Sequence, residues 1–217
     1  MKTRHYIRLF IVAALIFSCR CGMNVAGNSS QTGNNGITVC ALAKSISGTT
    51  QPRAKISIYS QSYLPYANPP GFSDSTTADD SGKFSFSMQA DGYYNLYVRG
   101  TGMGGSAFLQ QIPVFTDSLF ADTLDSLSSP GYFSGTATNT ESDTIPLSYV
   151  FISGSPFYDV TGNKGEFFIG PLPTGYYTVE FYGIFILRGD QFISNIRGVA
   201  NSSTVTVYPD SISQWHW

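Results

Sequence analysis

The chain is short of the residues that most often carry catalysis and metal binding. It has 217 residues but only two histidines and three cysteines, and the cysteines all lie in the first part of the chain, the last at Cys40. A nucleophilic triad needs a base beside its nucleophile, and a zinc site needs several His or Cys ligands close together. Once the N-terminal segment described below is removed, His216 is the one histidine left. We therefore expect a non-enzymatic protein with no catalytic residue, metal or cofactor.

Charge is also scarce. Lys, Arg, Asp and Glu make up 12% of the chain, and the formal net charge is −2. Such a chain has no basic face to attract nucleic acid, so that class of partner is excluded. Asp74, Asp79 and Asp80 could contact calcium, but Asp-rich turns also form without any metal.

The N-terminus predicts export. Residues 1–8 are basic, residues 9–17 form a nine-residue apolar run, and Ser18 and Cys19 follow. The run is too short to span a bilayer as a stable helix and has the layout of a cleaved signal peptide, which we place at residues 1–18.

The segment that ends at Cys19 resembles the lipobox of bacterial lipoproteins, with the aliphatic Ile16 three positions before the cysteine and the small Ser18 just before it. The resemblance implies that Cys19 is acylated and anchors the mature chain to a membrane. Cys21 is a poorer cleavage point because Arg20 precedes it. By analogy with lipoprotein sorting, Arg20 also favours the outer membrane, on its periplasmic or surface face. The alternative is an ordinary secretory signal with an incidental cysteine.

Residues 19–36 are rich in Gly, Asn and Ser and contain little to bury, which predicts a flexible tether between the anchor and the folded body. Cys21, in this tether, and Cys40 could pair in an oxidising compartment.

The rest of the chain contains an internal repeat. The segment Asp80 to Phe86 aligns with Asn163 to Ile169, and Gly92-Tyr93-Tyr94 aligns with Gly175-Tyr176-Tyr177 at the same offset. Upstream, the match continues at a larger offset, so the first copy has extra residues in a loop within residues 60–77. Two copies of one unit predict two tandem domains, at residues 37–128 and 129–217.

Each copy alternates apolar and polar residues with a period of two, which is typical of half-buried β-strands. The residues predicted to point inward are Phe84, Phe86, Tyr94, Leu96 and Val98 in the first copy and Phe167, Ile169, Tyr177, Val179 and Phe181 in the second. The predicted fold class is all-β, with two small β-sandwiches in tandem.

The second copy resembles the carboxypeptidase regulatory-like domain, a transthyretin-like β-sandwich. The matching residues are Pro146, Asn163, Gly165, Phe167, Leu172, Pro173, Gly175, Tyr177 and Val179. The first copy departs from the pattern where Gln89-Ala90 replaces Leu-Pro. The resemblance implies an Ig-like or transthyretin-like accessory module that lacks the zinc ligands of the peptidase, and so argues against enzymatic activity.

Outward-facing aromatic residues are the best indication of a binding site. By alternation, Tyr93, Tyr97, Tyr176 and Tyr182 point away from the cores and could stack on sugar rings. The alternative is that they cover the interface between the two domains. Trp215 and Trp217 are expected to add exposed aromatic surface on a C-terminal tail.

These features predict a lipid-anchored envelope protein whose paired domains act as a structural or interaction module. Its partners would be the membrane, through the lipid, and another envelope protein or a polysaccharide. The alternative function is a carbohydrate-binding surface lipoprotein that uses the four outward tyrosines.

Overall fold

The computed structural model describes residues 36–67, 70–102, 105–124, 126–138, 144–182 and 201–216. The predicted signal peptide, the lipidation site at Cys19 and nearly all of the tether lie outside these residues. All regular structure in the described part is β-strand. That part therefore has no helix with the length and apolarity needed to cross a membrane. The predicted all-β fold class is confirmed.

Eight strands form the first sandwich. They are β1 (Ile37–Leu42), β2 (Ser45–Thr49), β3 (Lys55–Ser60), β4 (Ser73–Thr77), β5 (Lys83–Ser87), β6 (Gly92–Arg99), β7 (Ser106–Val114) and β8 (Leu119–Leu124). They pair into two four-stranded sheets, in the orders β5-β2-β1-β8 and β4-β3-β6-β7.

Seven strands form the second sandwich. They are β9 (Gly131–Thr136), β10 (Tyr149–Ile152), β11 (Tyr158–Val160), β12 (Glu166–Leu172), β13 (Gly175–Tyr182), β14 (Asn201–Val207) and β15 (Ile212–His216). The two sheets have the orders β12-β9-β15 and β11-β10-β13-β14. By the offsets of the repeat, β5 and β6 correspond to β12 and β13, and β3 and β4 correspond to β10 and β11.

Each sandwich has its own hydrophobic core. All ten residues that alternation placed inward are buried in these cores, five in each. The apolar faces of the two sheets thus pack against each other. Burial of apolar area is the main favourable term in folding. The predicted inward faces are confirmed in both copies.

In each copy, the first phenylalanine after the repeated turn packs on a glycine of the neighbouring strand. Phe84 pairs with Gly48 across β5 and β2, and Phe167 pairs with Gly135 across β12 and β9. A Cβ on either glycine would come within 2.8 Å of the phenylalanine ring. The repeat is therefore one of packing as well as of sequence.

The second copy has no counterpart of β1 among its described residues. In the first copy, β1 lies between β2 and β8 and runs antiparallel to both, so β2 and β8 point the same way. In the second copy, β15 lies directly beside β9 and runs parallel to it. This is the position and direction that β8 would have if β1 were removed.

The C-terminal strand corrects one expectation. Trp215 of β15 is half-buried and packs against Phe133 and Phe167 of the second core, with ring centroids 6.2 and 6.3 Å away. The expectation of an exposed side chain was wrong for Trp215, because the open edge of β9 pairs with this segment. Trp217 lies outside the described residues.

Candidate functional site

The two sandwiches meet through a cluster of aromatic rings. Tyr66, in the loop between β3 and β4, stacks on Tyr149 and Tyr182, with ring centroids 4.6 and 5.6 Å apart. It also meets Phe151 edge to face at 4.8 Å. Aromatic pairs in these arrangements contribute stability beyond the area they bury. The extra loop of the first copy thus reaches across to β10 and β13 of the second.

A second contact runs in the opposite direction. Phe157, in the loop between β10 and β11, packs edge to face on Tyr97 and Phe108 of the first sandwich, at 5.1 and 5.8 Å. Because β10 and β11 correspond to β3 and β4, equivalent hairpins of the two copies each reach onto the other sandwich. The interface formed by these contacts is termed the seam.

A buried amide lies within the seam. Asn95, on the outer face of β6, is only 3% exposed. Its Nδ2 donates to the carbonyl of Gly154 at 2.9 Å, and its Oδ1 accepts from the N–H of Gln111 at 2.9 Å. The N–H of Gly154 donates to the carbonyl of Tyr63, also at 2.9 Å. Gly154 has a φ of +68°, and a Cβ there would collide with the Asn95 amide. The contact therefore requires glycine.

One residue of the first sandwich reaches the core of the second. Phe108 of β7 packs against the second hydrophobic cluster and stacks on Tyr177 at 6.0 Å. The Tyr177 hydroxyl donates to the carbonyl of Pro173 at 2.6 Å, and burial raises the pKa of this hydroxyl. The first copy repeats the hydrogen bond, from Tyr94 to the carbonyl of Ala90 at 2.8 Å. Each tyrosine thus fixes the turn before its own strand.

The four tyrosines predicted to bind sugar divide into two pairs. Tyr93 and Tyr176 are exposed, by 47% and 72% respectively, and Tyr93 meets Phe115 edge to face. Tyr97 and Tyr182 are half-buried and belong to the seam. Two of the four tyrosines therefore cover the interface between the domains, which was the alternative to sugar binding.

Sequence reasoning missed two central residues of the seam, Tyr66 and Phe151. Phe151 is fully buried on the outer face of β10, while its neighbours Val150 and Ile152 point into the core. Three consecutive apolar residues in one strand indicate that both faces are covered, and this signal was available. Tyr66 gave no comparable signal, because the composition of a loop does not reveal where the loop packs.

A groove lies on the outer face of the first sandwich. Two cavities, of about 490 and 590 Å³, share Tyr97 and Arg99 in their walls. The smaller one extends over β3 and β4, where Lys55 and Tyr59 line it. The larger one extends towards the connection between the sandwiches, where Asp210 lines it. Burial raises the pKa of both Tyr59 and Tyr97.

Metal binding receives no support from the described residues, which contain no group of three or more His, Cys, Asp or Glu suited to a metal. Asp79, considered for calcium, holds a turn: its carboxylate accepts the N–H groups of Ser81 and Lys83, both at 2.8 Å. The Ser81 hydroxyl also donates to it, and these bonds lower the pKa of Asp79. Asp80 pairs with Arg53 at 2.9 Å.

Comparison with models of protein families found no match, and no characterised protein matched the chain. Among solved structures, the chain is similar to the minor pilin of Streptococcus agalactiae, with 14% identity and a TM-score of 0.33 over 78% of this chain and 83% of that one. It is also similar to the TIE protein of Bacillus anthracis, with 13% identity and a TM-score of 0.31 over 87% of this chain and 41% of that one. A third similar structure is the major pilin subunit of Bacillus cereus, with 10% identity and a TM-score of 0.34 over 84% of this chain and 58% of that one. The chain thus covers less than two thirds of the last two proteins.

Proposed function

We propose that the chain is a non-enzymatic envelope lipoprotein whose two β-sandwiches act together as one rigid structural or interaction module. The observation that carries the proposal is the seam, in which equivalent hairpins pack reciprocally around a buried hydrogen-bonded amide. Domains joined only by a linker move relative to each other by default. A seam of this kind opposes such motion and holds the far end of the module at a fixed distance and angle from its anchor.

Anchoring is the part of the proposal that rests on sequence patterns. Acylation at Cys19 would hold the module at a membrane, with the outer membrane favoured by Arg20. The Cys19→Ala variant should lose labelling by a radioactive or clickable fatty acid and should no longer be found in the membrane fraction. The Cys21→Ala variant should still be labelled and should remain in the membrane fraction. Labelling that persists in Cys19→Ala and disappears in Cys21→Ala would move the anchor to the second cysteine.

Rigid coupling can be tested by unfolding. Trp215 packs in the second core, and residues 37–128 contain no tryptophan, so tryptophan fluorescence follows the second sandwich while far-ultraviolet circular dichroism follows both. The two urea curves should coincide because the sandwiches unfold together. Gly154→Ala should separate the curves by displacing the Asn95 amide. Gly102→Ala is the matched control, because Gly102 has a similar φ of +60° and a Cβ there would meet no described atom within 4 Å. Separate curves in the unaltered protein would contradict the proposal.

Carbohydrate binding is the second candidate function, favoured by the exposure of Tyr93 and Tyr176 and by the groove whose two cavities meet at Tyr97. Retention on polysaccharide that is lost in Tyr93→Ala or Tyr176→Ala, with the fold intact, would support it. Unchanged retention in both variants would remove these two residues from the site.

A further inference from the structure

The groove of the first sandwich exists because small residues lie between large ones. On the outer face of β3, Ser57 stands between Lys55 and Tyr59. Its neighbours across the strands are Ser75 on β4 and Tyr97 on β6. The two serines line the smaller cavity together with the longer side chains around them.

The same face of the second sandwich is closed. There the counterparts of Ser57, Lys55 and Arg99 are Phe151, Tyr149 and Tyr182, and all three contact the ring of Tyr66. The two copies have therefore diverged at one set of positions. In one copy these positions are aromatic and covered, and in the other they are small or basic and open.

The basic residues of the groove are placed unfavourably for stability alone. Lys55 and Arg99 are directly opposite each other on β3 and β6, and like charges in that position weaken strand pairing. Within the described residues, neither takes part in an ion pair; the two ion pairs found there lie elsewhere. Asp210 lines only the far cavity. An anionic group bound between the two cations would offset their repulsion.

The remaining lining favours one class of anion. Ser57, Ser75 and Thr77, which carry hydroxyl groups, line the smaller cavity together with Tyr59 and Tyr97. Hydroxyls can pair with sugar hydroxyls, tyrosine rings can pack on sugar ring faces, and a guanidinium binds a carboxylate through two parallel hydrogen bonds. Nucleic acid would need many more basic residues than a chain of net charge −2 offers.

We infer that this groove binds an acidic sugar chain of the uronic-acid type, with Lys55 and Arg99 holding a carboxylate and Tyr59 and Tyr97 flanking the sugar rings. The inference deepens the second candidate function by naming the class of ligand. It does not depend on the rigidity of the seam.

The test is retention of detergent-solubilised full-length protein on immobilised polygalacturonate, alginate and hyaluronate. Cellulose is the neutral control, and dextran sulfate is the control for a polyanion that carries sulfates and no carboxylates. We expect retention on at least one uronic-acid polymer and weaker retention on the other two materials. Arg99→Gln should weaken binding about tenfold or more, because it removes a charge-assisted hydrogen-bonding group. Lys55→Gln should weaken binding in the same direction. Lys164→Gln, which removes an equal charge from an exposed turn of the second sandwich, should have no effect.

The inference would be overturned if the unaltered protein were not retained on any uronic-acid polymer, or were retained equally on dextran sulfate. It would also be overturned if all three variants lost binding equally, or if Arg99→Gln left retention unchanged. Retention on cellulose that depends on Tyr93 but not on Arg99 would overturn the acidic groove and leave the second candidate function standing. Circular dichroism of each variant excludes loss of fold as the cause.

Discussion

Gly82 and Gly165 occupy equivalent turns of the two copies, with φ of +79° and +75°. A Cβ on Gly82 would collide with the carbonyl of Thr50, and one on Gly165 would lie 2.5 Å from the carbonyl of Ala137. Alanine at either position should lower the free energy of unfolding by about 1–3 kcal/mol, since it combines a left-handed backbone with a clash. Gly102→Ala, with no clash, should cost about 1 kcal/mol. Urea denaturation measures all three, and equal losses would contradict the role of the clash.

Tyr177 makes the free energy of unfolding depend on pH in the alkaline range. Burial raises its pKa above the ordinary value of 10.0, so the folded state keeps its proton where the unfolded state releases it. The stabilising contribution is complete below the ordinary value and is lost as pH rises towards the folded pKa. Unfolding free energy measured across this range should fall, and Tyr177→Phe should reduce the slope. A slope unchanged in Tyr177→Phe would show that other tyrosines account for it.

Single residues were predictable from the sequence where alternation governs them. The inward Phe, Tyr, Leu and Val side chains are buried because a strand with one apolar face has one arrangement that covers it. Asn95 was beyond this reasoning. An amide on the outer face of a strand is ordinary when exposed, and only the position of the second sandwich buries this one.

At the scale of elements, β15 is the strand whose importance is most easily measured. Trp215→Ala should lower the free energy of unfolding of the protein by roughly 1–3 kcal/mol, because the half-buried ring packs on Phe133 and Phe167. Tyr208→Ala is the control: this ring is 61% exposed and its removal should change stability by less than about 0.5 kcal/mol. Thermal unfolding followed by circular dichroism compares the two. Equally small effects of the two substitutions would show that β15 contributes little to stability.

The parallel pairing of β15 with β9 was not predictable from the repeat, because the repeat aligns only the middle strands of each copy. The sequence did offer one signal for the missing counterpart of β1. The connection before β9, residues 126–130, is too short for a strand of ordinary length. The extra loop of the first copy was found from the two offsets of the repeat. Its packing on the second sandwich was not, because nothing in the sequence specifies the angle between the domains.

At the scale of the whole molecule, the outer faces of the two copies differ at a few equivalent positions. The outer face of β10 and β13 is filled by Tyr66 and belongs to the seam. The outer face of β3 and β6 is partly covered by Phe157 and otherwise open as a groove. In the proposed function, the first of these faces holds the two sandwiches together and the second is free to contact a ligand or partner.

The most direct test of the central claim is the rotational diffusion of the two sandwiches, measured by nitrogen-15 NMR relaxation of their backbone amides. If the seam makes them one body, amides of strands β1 to β8 and of strands β9 to β15 should fit a single overall tumbling tensor. Gly154→Ala should divide them into two groups with shorter correlation times, while Gly102→Ala should not. Two independent, shorter correlation times in the unaltered protein would contradict the claim that the sandwiches form one rigid module.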